Sequence, residues 1–175
     1  MKNFLKKTAW LFLVAAIIVV LDQLTKKIVI ENIAYGGVWS PWEWLTPYAR
    51  IVHWSNTGVA FGMLQGMNPV FIGLAFLVSL GIIYYYPKIE KEDWLIRLAL
   101  MMELGGAAGN LVDRIKYGHV IDFISVGNFP VWNVADACIT VGVVILLIGV
   151  WLQEKRQKTR QAKAAQAQAD DEVVP

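Results

Sequence analysis

The 175-residue chain has one cysteine, Cys138, and two histidines, His53 and His119. A lone cysteine excludes an internal disulfide and a thiolate metal cage, and its place in an apolar run fits packing. No His-Glu-x-x-His spacing occurs, and no Ser/His/Asp order suggests a hydroxyl nucleophile. Asp113, Asp122, Asp136 and His119 are too loosely spaced in sequence to read as a metal-ligand cluster. Charge is scarce as well, at 17% of residues with a net value of +2 that says little about partners; no nucleic-acid partner is expected. No small-x-small cleavage signal follows the basic start and first apolar run. Asp22 stands there, so the N-terminal segment is expected to stay as a helix.

What the chain has in excess is apolar sequence, at 57% of residues. Crossing a bilayer takes roughly 20 mostly apolar residues. Ala9–Leu21 and Val70–Tyr86 carry no charge, Trp94–Leu111 carries only Arg97 and Glu103, and Val134–Leu152 carries only Asp136. Four transmembrane helices are predicted, over about 8–30, 69–86, 94–117 and 134–152, in one domain covering 1–152. Pro69 opens the second and Pro87 ends it. The cations gather before the first helix (Lys2, Lys6, Lys7), between the second and third (Lys88, Lys91) and after the fourth (Lys155, Arg156, Lys158, Arg160, Lys163). The positive-inside rule puts these regions and both termini in the cytoplasm. The polar tail, 153–175, reads as a frayed helical extension or disorder.

Residues 35–67 break the helical pattern with Gly36, Gly37, Pro41 and Pro47. Trp39, Trp42, Trp44, Tyr48 and Trp54 suit headgroup depth. Ala49–Asn56 reads as a strand, and Asn56 with Gly58 as a turn. A small β-sheet made by this segment on the outer membrane surface is expected. His53 reads as a satisfied polar contact.

The chemistry concentrates in Gly105–Asp136. Gly105, Gly106 and Gly109 have the small-residue spacing that lets helices approach in lipid. Asn110, Asp113 and Arg114 follow at i, i+3 and i+4. Asp122 lies in the apolar run VIDFI, and Asp136 opens the fourth helix after Asn133. Carboxylates in membrane segments are costly and usually functional. Two brought together share a proton, one serving as base and the other as acid. Asp113, beside Arg114, is expected to stay ionised in a structural pair with it. Asp122 and Asp136, flanked by apolar residues, are the expected dyad. Asp22 and Lys26 share a helix face, either as a helix-end pair with Lys26 and Lys27 snorkelling or as a prop for a polar pocket. Glu103 has no functional reading. From the residues alone, a dyad hydrolase, a small carboxylate-dependent transporter and an assembly or anchoring protein all stay open.

Five short patterns in order then resemble signal peptidase II, the bacterial lipoprotein signal peptidase family. They are Asp22-Gln23-x-x-Lys26, Asn56-x-Gly58-x-Ala60-Phe61, Gly105-Gly106-Ala107-x-Gly109-Asn110-x-x-Asp113-Arg114, Val120-x-Asp122-Phe123 and Asn133-x-Ala135-Asp136. Val59, Trp132 and Ala137 depart from the family's usual Ala, Phe and Ser. The resemblance implies an aspartic endopeptidase of the bacterial inner membrane with Asp122 and Asp136 catalytic. Asn56, Asn110, Arg114 and Asn133 would hold substrate, with Asp22, Lys26, Gly58, Asp113 and Ala135 in support. The implied substrate is a diacylglyceryl-modified prolipoprotein cut just before its lipidated cysteine. The implied enzyme is a monomer among membrane lipids, without metal or organic cofactor.

Overall fold

A computed structural model describes residues 2–58 and 64–172. Val59, Ala60 and Phe61 of the second pattern therefore lie outside the described residues. Four long helices carry the chain: α1 (Lys2–Asn32), α2 (Asn68–Tyr85), α3 (Trp94–Tyr117) and α4 (Val134–Glu172). Each contains a stretch long and apolar enough to cross a membrane. Their outward faces carry bare apolar side chains, among them Leu77, Leu80, Leu147 and Trp151, each at least 60% exposed. Such a surface is stable against lipid and not against water.

Helix α3 is the central element, packed on α1, α2 and α4. Its glycines make this possible. A Cβ on Gly105 would lie 2.7 Å from the Ile18 Cβ on α1, and one on Gly106 would lie 2.5 Å from the Ala135 carbonyl oxygen on α4. One on Gly109 would meet the Asp22 carboxylate at 2.7 Å. Without hydrophobic drive between helices in lipid, such close backbone approach is what holds them. The helix ends at Gly118, whose φ of 78° makes the left-handed cap that other residues adopt at a cost.

The sheet differs from expectation in one way that matters. Residues 35–67 supply two strands, β1 (Val38–Trp39) and β2 (Ala49–Asn56), and the third, β3 (Val120–Val126), comes from the α3–α4 connection. The order is β1-β2-β3, antiparallel throughout, with Trp54 opposite Asp122 and Asn56 opposite Val120. VIDFI reads as a plain apolar run because β3 is buried along nearly its whole length and lacks the alternation that marks a half-exposed strand. The sheet thus ties the Trp-rich segment to the chain between α3 and α4. Trp42 and Trp44 stack at 5.9 Å and remain exposed, as do Trp39, Tyr48 and Trp54. His53 Nδ1 lies 2.8 Å from the Ile33 carbonyl oxygen, a satisfied contact at the end of α1.

Helix α4 does not stop near Leu152 but continues to Glu172. Its extension is rich in Ala, Gln, Lys and Arg, all good helix formers. It is tied to the start of α3 by Arg156 and Gln153 on the Asp93 carboxylate.

Candidate active site

The site lies where the C-terminal ends of α1 and α3 meet the N-terminal end of α4 and strand β3. Asn133 caps α4. Its Oδ1 accepts from the Asp136 backbone N–H at 2.9 Å, and the Asp136 Oδ2 accepts from the Asn133 backbone N–H at 3.2 Å. This reciprocal capping fixes both side chains at the helix start. The Asn133 Nδ2 then donates to Asp122 Oδ1 at 2.8 Å, linking the helix start to β3. Asn56, on the neighbouring strand, donates from Nδ2 to Asp122 Oδ2 at 2.9 Å while its Oδ1 accepts from Gly58 N–H at 3.0 Å. Asn110, on α3, donates from Nδ2 to Asp136 Oδ1 at 2.7 Å. All four oxygens of Asp122 and Asp136 therefore accept hydrogen bonds from asparagine groups.

Asp122 is 1% exposed, whereas Asp136 is only half-buried. Burial pushes the Asp122 carboxyl up to about 7, and the nearby Asp136 charge pushes the same way. The bonds from Asn56 and Asn133, and the charge of Lys26, pull it down without restoring the ordinary value.

Behind this pair sits a second cluster. Lys26 Nζ lies 2.8 Å from Asp22 Oδ2 and 2.7 Å from Asp113 Oδ2, and all three side chains are buried. Two expectations are corrected here. Lys26 does not snorkel; only Lys27 is exposed, 3.7 Å from Glu31. The cation paired with Asp113 is Lys26 and not Arg114. Adjacent residues on a helix point about 100° apart, so Arg114 cannot turn to its own neighbour. Arg114 instead donates to the Gly58 carbonyl oxygen at 3.4 Å and lies over the Phe71 ring. It reaches the turn that holds Asn56.

Of the expected site residues, Asn56, Asn110, Asn133, Asp122 and Asp136 form one hydrogen-bonded unit. Asp22, Lys26, Asp113 and Ala135 form the layer behind it, and Arg114 with Gly58 forms one edge. Ala135 has no exposed surface and donates its N–H to Asp22 Oδ1 at 3.0 Å. Gln23 was not singled out, yet its Nε2 donates to Asp113 Oδ1 at 2.8 Å and contacts Asp22 Oδ2 and Gly109 O. Its position beside Asp22 in the first pattern was the available signal. Asn68, which the sequence offers with Pro69 as the cap of the second helix, makes no capping bond there and instead donates from Nδ2 to the Arg114 carbonyl oxygen at 3.2 Å.

Residues 14–152 match the family model described as signal peptidase (SPase) II. The chain belongs to the signal peptidase II family. A lipoprotein signal peptidase from Brevibacillus brevis is 38% identical over 154 residues, covering 85% of this chain and 99% of the relative. One from Symbiobacterium thermophilum is 39% identical over 146 residues, covering 81% and 94%. A solved structure described as a bacterial membrane enzyme, at 2.3 Å resolution, superposes with a TM-score of 0.77 and 26% identity over 85% of this chain and 91% of that one. A second, at 1.9 Å resolution, gives 0.72 and 27%, over 81% and 92%. This signal peptidase II family member is thus a multi-pass membrane protein of a bacterial peptidase family, with four apolar helices and a three-stranded sheet.

Proposed function

We propose that this protein is an aspartic endopeptidase that removes the signal peptide from diacylglyceryl-modified prolipoproteins, cutting just before the lipidated cysteine. Asp122 and Asp136 activate the attacking water and return a proton to the leaving nitrogen. The observation that carries this reading is the pair's asymmetric setting. Both carboxylates are fully hydrogen-bonded, yet Asp122 is buried and keeps its proton up to about pH 7. Asp122 therefore begins as the acid and Asp136, which keeps some exposed surface, as the base. The water proton passes to Asp136, hydroxide oxygen bonds to the scissile carbonyl carbon, and collapse of the tetrahedral species expels the amine as it takes a proton from the pair.

Arg114, reaching the Gly58 carbonyl, lines the side on which Asn56 approaches the pair. There it holds the substrate main chain together with Asn56, Asn110 and Asn133. The lipid-facing helices and exposed tryptophans suit a substrate whose signal helix and acyl chains arrive through the bilayer. With cations at the opposite helix ends, the carboxylates face the outer surface and both termini are cytoplasmic.

The decisive assay compares cleavage of a diacylglyceryl lipobox peptide with the same peptide lacking lipid. Cleavage only of the lipidated peptide, at the bond before its cysteine and lost in Asp122→Asn, is the expected result. Cleavage that survives both Asp122→Asn and Asp136→Asn would sink the dyad. For orientation, a reporter fused after Leu152 should be active only in the cytoplasm.

A further inference from the structure

Three carboxamides surround the two carboxylates, and each is oriented by a group that can only donate. Asn56 Oδ1 is taken by the Gly58 N–H, and Asn133 Oδ1 by the Asp136 N–H. Asn110 Oδ1 is taken by the Lys26 ammonium at 3.2 Å, with the Asn133 Nδ2 as a second donor at the same distance. An amide whose oxygen is committed must turn its nitrogen the other way. That nitrogen then reaches a carboxylate oxygen in all three cases. Two of the three locks are main-chain groups close in sequence. The third is a buried side chain from a different helix.

The three protons of the Lys26 ammonium match its three acceptors, Asp22, Asp113 and Asn110. Its two carboxylate partners do more than neutralise it. Asp113 Oδ2 also accepts from the Ile121 N–H at 3.1 Å, and Asp22 Oδ1 from the Ala135 N–H at 3.0 Å. Ile121 directly precedes Asp122, and Ala135 directly precedes Asp136. The cluster that aims the ammonium thus also pins the backbone before each member of the pair.

We propose that Lys26 is a positioning residue for the carboxylate pair, orienting the Asn110 amide so that Asp136 is held as a hydrogen-bond acceptor and the proton stays on Asp122. The inference rests on the reading of Asp122 and Asp136 as the reacting groups. With Lys26 gone, the Asn110 oxygen keeps only the Asn133 Nδ2, which Asp122 Oδ1 and the Ile121 carbonyl also engage, so the amide can turn its oxygen toward Asp136 Oδ1, 2.7 Å from where its nitrogen now sits. Two acceptors at that distance repel unless a proton lies between them, so the proton is drawn to the wrong carboxylate. The other charged groups near the pair are Asp22, Asp113 and Arg114.

The test is a double-mutant cycle on the purified full chain. Lys26→Met alone strands two buried carboxylates, so the cycle uses Asp22→Asn/Lys26→Met, which keeps the buried charge balance, with Asp22→Asn as its reference. Asn110→Ala is added to each. Relative to Asp22→Asn, loss of Lys26 should lower kcat on the lipidated peptide by roughly 10²-fold with little change in KM. Adding Asn110→Ala should then lower kcat no further, the loss of its own substrate contact appearing in KM, because the two residues act in series on the pair. A second readout needs no substrate. The Asp122 carboxyl, followed by its ¹³C resonance in the unliganded protein, should deprotonate at lower pH once Lys26 is removed, the opposite of what loss of a nearby cation alone would do. Independent, multiplying effects of Lys26 and Asn110 overturn the proposal, as does an Asp122 titration that stays where it is or moves to higher pH. If the parent protein itself fails to cleave the peptide, the functional reading fails, and the titration alone decides the role of Lys26.

Discussion

Two clusters of charge sit at opposite ends of the helical bundle, and they are built differently. At the far end from the site, Asp93 is buried but receives Arg156 and Gln153, while Glu90 meets Arg160 at 3.9 Å and Glu154 meets Lys158 at 2.7 Å. Each of these three acids has a basic partner, and the cations stand largely in solvent, with Lys158 73% exposed. At the site end, Asp22, Asp113, Asp122 and Asp136 are served by the buried Lys26, with Arg114 beyond. The surplus negative charge is held by amides and backbone N–H groups instead of cations. A cluster that only ties helices together can neutralise every acid. One that must pass a proton between two acids has to leave them without a full counterion.

The sharpest way to break this contrast is at the pair. Asp122→Asn and Asp136→Asn should each lower kcat on the lipidated peptide by ~10²–10⁴-fold or more, with the protein still inserted and monodisperse by gel filtration. Asp93→Asn should leave kcat within about twofold. Equal losses at both ends would mean the two clusters do the same work.

Gly106→Ala comes next. Its Cβ would press on the Ala135 carbonyl and on Ile139, so α3 and α4 must part just below the site. A loss of ~1–3 kcal/mol of stability is expected, read as a lower midpoint in thermal unfolding in detergent, with kcat falling as Ala135 and Asp136 shift.

Asp113→Asn should cost ~1–3 kcal/mol, because Lys26 keeps Asp22 and the Ile121 N–H keeps an oxygen to bond. Turnover should persist in the folded fraction. Folded but inactive Asp113→Asn enzyme, beside active Asp122→Asn enzyme, would reverse their roles.

The pH dependence sharpens the comparison further. Asp122 has a carboxyl raised from 3.8 to about 7 in the folded protein. The folded state therefore binds more protons than the unfolded state between these values, and stability falls as pH rises from about 4 to about 7. Asp122→Asn should flatten that slope in thermal melts and raise the melting point at pH 8 but not at pH 4. The parent kcat should decline above about pH 7, where the shared proton leaves.

The smallest effect belongs to the far end. Lys158→Ala removes an exposed i,i+4 pair with Glu154 and should leave the midpoint of a chemical-denaturation series unchanged, because solvent screens such a pair.

Chain order alone carried the four spans, because roughly 20 apolar residues have few alternatives to crossing lipid. It also drew attention to Asp122, Asp136 and the asparagines near them, which the structure brings into one hydrogen-bonded unit, because few polar residues interrupt such a chain. The aromatic character of residues 35–67 was equally plain, and Ala49–Asn56 forms the strand its residues imply. Three things needed the tertiary structure. Strand β3 is buried on both faces, so its sequence has no period to betray it. The partner of Asp113 lies on α1, and a sequence neighbour was the wrong proxy because helix geometry turns adjacent side chains apart. Last, the buried ion cluster behind the dyad brings together groups some 84 to 113 residues apart in sequence, among them Lys26 with Asn110 and Asp22 with Ala135. Local pattern records which side chains are polar and on which helix face they fall. Which donor meets which acceptor is decided only when glycine-lined helices close to contact.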